Sequence, residues 1–211
     1  MSWNGPPHGR RGYHHGNLRE ALVNAALDLI REYGPAGFSF AEAARRAGVS
    51  PAAPYRHFRD RDALLGEVAR QGYERFADML TKGWNGGRPN PLKAMDELGR
   101  AYLTFARDEP AYYAAMFESG LAPSKDPALQ READRAFGVL KEAATALNQL
   151  LPPDRRAPVQ MMSLHIWALA HGIASLFGTG RGRTAPASPE DLLESAILIY
   201  LQGLGLGARP A

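Results

Sequence analysis

The stretch from Ser39 to Leu64, SFAEAARRAGVSPAAPYRHFRDRDAL, constrains the fold more than any other part of the chain. Its spacing predicts two short helices joined by a tight turn, then the start of a third. Ser39 is suited to cap the first helix, and Glu42, three residues on, completes a capping box. Phe40, Ala43, Ala44 and Ala47 recur at helical spacing. Gly48 stops that helix in the left-handed backbone region, where a side chain is disfavoured, and Val49 plugs the turn. Ser50 and Pro51 open the second helix as cap and first residue. Tyr55 and Phe58, three apart, share a face. Asp60 caps a long helix that begins at Arg61.

Ala43 and Ala44 are small enough for two helices to approach closely, and Gly48 makes the corner between them. The pattern is a helix-turn-helix. Its second helix is left free to enter a DNA major groove, which admits one α-helix. The segments AGVSPAAPYRHF and DRDALL resemble the TetR family of bacterial transcriptional regulators: glycine, apolar residue, serine, tyrosine, histidine and phenylalanine fall at that family's spacing. Upstream, NLREALVNAALDLIREYGPAGFSF is similar to the family's first helix and its glycine-containing link. The detailed resemblance covers about the first third of the chain, and the rest is similar in overall plan.

The resemblance implies that Tyr55, His57 and Arg61 contact the DNA backbone, with an arginine at 61 where the family usually has lysine. The residues themselves add further candidates. Ser50 and the amides around it are phosphate donors at a helix start, and Arg45 or Arg46 can reach the backbone from the preceding helix. Base reading falls to Ala52, Ala53 and Arg56, the arginine being suited to bidentate pairing with guanine. Two residues depart from the family pattern. Ala52 replaces a common glycine, and Pro54 replaces a common leucine or isoleucine and removes an early helix hydrogen bond.

Charge is placed in keeping with this reading. The net charge is +3, and residues 1–60 hold eight arginines against five acids, so the whole excess lies there. The chain contains no cysteine, which excludes disulfides and thiolate metal sites and fits a cytoplasmic setting. The N-terminus lacks the apolar run of a secretory signal. Residues 157–180 carry no Asp, Glu, Lys or Arg, but Gln160, Ser163, His165, His171 and Ser175 interrupt them. A buried helix suits that segment better than a membrane span. No catalytic constellation, phosphate loop, cofactor motif or metal spacing is present in the sequence: His14 and His15 are adjacent in a tail, and His165 and His171 are six apart.

The expected architecture is all-α. Residues 1–16 form a flexible basic arm, in which Arg10 and Arg11 either enter a minor groove or are simply solvated. Residues 17–60 form the three-helix DNA-binding bundle, with Asn17 and Glu20 capping its first helix. Residues 61–82 are a connecting helix, followed by a loop from Trp84. Residues 83–207 form a larger bundle for ligand binding and dimerisation. Its helices are expected from about Pro91, Pro110, Asp126 to Leu151, Ala157 to Phe177 and Ser188 onward, with a loop over Thr179–Ala187. By resemblance this half senses a small molecule. Tyr102, Phe105, Tyr113, Met116, Phe117, Met162, His165, Trp167 and His171 are the candidate lining, although residues of these types at helical spacing also build ordinary cores. Trp167, His171 and Gly172 have a W-x-x-x-H-G spacing that resembles a subgroup of the family recognised by those three residues. Ala168, Gly172 and Ala174, with the apolar last helix, suit a four-helix homodimer contact.

Together these features predict a homodimeric repressor released from a double-stranded operator by a small apolar effector. Two alternatives stand beside it: an activator, or a helical binding protein or enzyme with a vestigial helix-turn-helix.

Overall fold

The computed structural model describes residues 18–178 and 187–206. The basic arm, the Asn17 cap and most of the Thr179–Ala187 loop lie outside the described residues. Within them the chain is helical, with no strand, as the periodicities predict. The helices are α1 (Leu18–Tyr33), α2 (Phe40–Arg46), α3 (Arg61–Trp84), α4 (Pro91–Asp108), α5 (Pro110–Phe117), α6 (Pro127–Gln149), α7 (Val159–Ile173) and α8 (Pro189–Gly203). One π turn, Ala174–Gly178, extends α7.

Side-chain caps set several of the starts. Asp60 accepts from the Ala63 amide at 2.8 Å, Asn90 from Lys93 at 3.0 Å, and Ser188 from Asp191 at 3.0 Å. Proline follows the cap directly at Pro91, Pro127 and Pro189, where no N–H is needed. The Ser39 box forms only in part. Ser39 accepts from the Glu42 amide at 3.1 Å, but the Glu42 carboxylate pairs with Arg45 instead of returning to the cap. Gly48 holds the left-handed turn at φ +72°.

The long helix α3 is the spine. Its N-terminal end packs on α1, and the rest packs on α4, α5 and α6. Leu64 and Leu65 are fully buried and join Leu22, Leu29, Ile30 and Phe58 in the same apolar cluster as the C-terminal core. The DNA-binding bundle is therefore continuous with the larger one rather than tethered to it. Trp84 differs from its expected place in a loop. It is the last residue of α3, and it is buried because its indole N–H donates to Glu142 at 2.8 Å. Close approach of α3 and α4 depends on Gly83: a Cβ there would stand 2.9 Å from the Glu97 carbonyl oxygen.

Candidate nucleic-acid interface and apolar cavity

The helix-turn-helix presents the expected surface. Ser50, Ala52, Tyr55, Arg56 and His57 are all exposed, Ala53 is partly so, and Pro54 and Phe58 are buried beneath them. Tyr55 is 63% exposed, and its ring stands edge-on against Phe40 with centroids 5.0 Å apart. That contact anchors the ring on α2 while leaving the phenol in solvent.

The reading segment is not the regular α-helix expected from Ser50. It is a turn followed by a 3₁₀ helix over Ala53–Arg56. The cause is local. Proline at 51 and 54 removes two backbone donors, so an α-type bond from residue 54 back to Ser50 cannot form. The Ala53 amide closes a tighter turn onto Ser50 at 3.0 Å, and His57 and Phe58 both donate to the Pro54 carbonyl.

The basic side chains divide into two groups. Arg46 pairs with Glu32, Arg45 with Glu42, and Arg61 donates to the Phe38 and Pro35 carbonyls while its guanidinium covers the Phe38 ring at 4.8 Å. In the free chain Arg61 therefore clips the loop between α1 and α2. Arg56 and Arg59 lie at the surface, and Arg59, 85% exposed, pairs with its chain neighbour Asp60 at 2.9 Å. Sequence reasoning missed Arg59, although its position directly after the Arg56-His57-Phe58 run marked it.

In the larger bundle, α3 to α8 line a cavity of about 270 Å³. Of the predicted lining, Tyr102, Phe117 and Trp167 border it; Tyr73, Phe76 and Phe137 join them from outside that set. Phe105 and Met162 are fully buried, and Met116 packs toward Gly72 at the contact of α5 with α3. His165 lies on an exposed face, 3.2 Å from the Tyr200 hydroxyl. Burial pushes the Tyr73 phenol up to about 12 and the Tyr102 phenol well above its usual value, so both remain proton donors.

Tyr113 and His171, both expected in the lining, do not border the cavity, and His171 instead joins a polar cluster with the Tyr102 hydroxyl. Its Nδ1 is 3.0 Å from the Tyr102 hydroxyl and 3.0 Å from the Tyr113 hydroxyl, and Tyr113 also meets Ser175 at 3.3 Å. Its ring touches Phe117 and Trp167, with centroids 4.9 and 5.7 Å away. Burial pushes its pKa down, so the ring favours its neutral form, in which Nδ1 either donates to or accepts from the two phenols. Trp167 and His171 do share a face. His165 and His171 do not, and among the described residues no group of three or more His, Asp or Glu side chains could hold a metal.

Comparison with known proteins accounts for both halves. Residues 22–68 match the family described as bacterial regulatory proteins, tetR family, and residues 95–200 match the tetracyclin repressor-like C-terminal domain. The HTH-type transcriptional regulator YobS of Bacillus subtilis (strain 168), itself uncharacterised, is 24% identical over 196 residues, spanning 90% of this chain and 93% of that one. A protein of unknown function from Rhodococcus sp. RHA1 shares the fold with a TM-score of 0.76 and 28% identity, over 92% of this chain and 98% of its own. The structure of AibR in complex with isovaleryl coenzyme A and operator DNA superposes with a TM-score of 0.67 and 17% identity, over 86% and 97% of the two chains.

Proposed function

The chain belongs to the TetR family of DNA-binding transcriptional regulators, and on that premise we propose that it is a cytoplasmic, homodimeric repressor released from its operator by a small apolar effector. Membership makes it a regulator and not an enzyme. One observation carries the finer reading: Tyr73 and Phe76 of α3 line the cavity, while Leu64 and Leu65 of the same helix are buried in the DNA-binding bundle. An effector that favours a slightly displaced α3 therefore favours misplaced reading heads. That differential affinity shifts the population off DNA.

The division of labour follows the helices: reading head over 17–60, connecting helix over 61–82, effector and dimer unit over 83–207. Arg45, Ser50, Tyr55, His57 and Arg61 position the head on phosphates, Arg61 by leaving its loop contacts for the stronger charge. Ala52, Ala53 and Arg56 meet base edges. In the C-terminal half, the contact of Trp167 with His171 supports the W-x-x-x-H-G subgroup. Dimerisation through α7 and α8 is supported by exposed Met161, Leu176, Leu198 and Ile199, and by the open space beside Gly172, whereas Ala174, expected in that contact, is buried within the subunit. AibR, solved in complex with isovaleryl coenzyme A and operator DNA, is the precedent for one such fold meeting both kinds of partner.

The test is to select DNA from a random pool with the purified protein and titrate the winners by fluorescence anisotropy at several salt concentrations. A two-fold symmetric site, bound orders of magnitude above random DNA with a steep salt slope, is expected. Absence of any enriched site, with weak binding at every salt, would sink the operator assignment.

A further inference from the structure

The charge pattern of the cavity narrows its occupant, on the reading above that the cavity is the effector site. Of the described residues that border it, only Asp134 carries a formal charge. The Asp134 side chain is exposed and accepts a hydrogen bond from the neutral Gln130 amide at 2.7 Å. Asp134 and Phe137 lie three apart on α6 and so share one face. Trp167 meets the Phe137 ring edge-on, with centroids 6.1 Å apart. An exposed carboxylate thus borders the cavity from the helix face that carries Phe137, while the rest of the described lining holds no formal charge.

We infer that the cavity takes a monovalent lipophilic cation, an amine or quaternary ammonium on an apolar body, with its charge between Asp134, Phe137 and Trp167. Carboxylate and ring faces both attract a cation and repel an anion. The Lys141 ammonium, which does not border the cavity, already stands 5.3 Å from the Phe137 centroid, so an incoming cation has to share or displace that ring contact and Asp134 carries most of the attraction. The cavity volume is close to the lower end of the roughly 300–1,000 Å³ that small-molecule sites occupy. An acidic effector of the same size would bring its charge against Asp134, with the Lys141 ammonium on Phe137 left to meet it and no arginine or lysine among the described lining residues.

Three compounds sharing one eight-carbon chain separate the possibilities: octyltrimethylammonium, 1-octanol and octanoate, each titrated calorimetrically into the full-length protein and into Asp134→Asn. The expected order in the wild type is ammonium, then alcohol, then carboxylate. Asp134→Asn should weaken the ammonium roughly tenfold and leave the alcohol unchanged. The substituted side chain is exposed and nearly isosteric, so the variant folds, and unchanged alcohol binding verifies its cavity. If octanoate binds as tightly as the ammonium, or Asp134→Asn leaves the ammonium unaffected, the cation inference is overturned while the cavity stands as an effector site. If none of the three binds the wild type, the effector-site reading fails with it.

Discussion

Arg19 of α1 donates to the Glu67 carboxylate of α3 at 2.9 Å while its guanidinium lies 5.2 Å from the Phe58 ring centroid, so one side chain ties the end of the reading segment to the connecting helix. Glu67 is 8% exposed and also accepts from Arg70 at 3.0 Å and Gln71 at 2.9 Å. Burial alone would raise its carboxyl. The hydrogen bonds from Arg70, Arg19 and Gln71 outweigh burial and lower the pKa from 4.5 to about 2. A carboxyl depressed on folding contributes stability that is complete above its unfolded pKa and is lost as pH falls through the folded one. Stability should therefore decline between about pH 5 and pH 2, and Glu67→Gln should flatten that decline. At pH 7 the substitution should cost about 1–2 kcal/mol, since solvent reaches Arg19 and screens the pair. Urea melts of both proteins across that pH range measure both effects.

Two glycines give opposite signs. Gly83→Ala places a methyl 2.9 Å from the Glu97 carbonyl, which is backbone and cannot turn aside, so α3 and α4 must separate. A loss of about 1–3 kcal/mol is expected. Gly138 lies on the exposed face of α6, and a methyl added there would meet nothing within 4 Å. Gly138→Ala should stabilise by about 0.5–1 kcal/mol through helix propensity. Thermal midpoints of the two variants should move in opposite directions from the parent.

The DNA face separates positioning from reading. Arg59→Ala removes one exposed cation, so it should weaken binding by a similar factor on every sequence and reduce the salt slope by about 1. Arg56→Ala should cost about 1–3 kcal/mol on the selected site and relax the preference at a single base position. Anisotropy on the selected site and on single-base variants distinguishes the two patterns.

Much of this was legible because it depends on local chemistry. Ser39, Asp60, Asn90, Asp126 and Ser188 cap helices in the places their spacing marks, and Gly48 turns where a positive φ was required. The 3₁₀ form of the reading segment was partly visible in Pro54, but its extent depends on Pro51 and Pro54 acting together. The cavity was less legible. Phe105, Met162 and Trp167 look alike in a helical stripe, and only packing separates the two that fill the core from the one that borders empty space. Phe76 and Phe137 were missed as lining because they lie on α3 and α6, helices whose apolar stripes the sequence assigns to core.

His171 supplies a titration with a defined sign. Its pKa is pushed below the ordinary 6.5 by burial. Between the two values the unfolded chain binds a proton that the folded ring refuses, so acidification through 6.5 should destabilise the fold. His171→Phe keeps the ring contacts and removes that part of the pH dependence, at the cost of leaving the Tyr102 and Tyr113 hydroxyls without their shared partner. NMR titration of the histidine side chains should find His171 titrating below the ordinary histidine value.

The last two helices offer the most direct test of assembly. Ile199 is 67% exposed on α8, and Leu198 beside it is 45% exposed. On the proposed two-fold contact this apolar pair would be covered by a second copy. Ile199→Glu puts a charge into that contact without touching the subunit's core, so helix content and subunit stability should change by less than about 0.5 kcal/mol. Sedimentation velocity at micromolar concentration should show a dimer for the parent and a monomer for the variant. DNA binding should fall with it. Each reading head would then have to find its half-site alone, and the gain from two linked contacts, on the order of a hundredfold or more, would be lost. If Ile199→Glu stays dimeric, the two-fold contact lies on another face, and the half-site spacing follows that face instead.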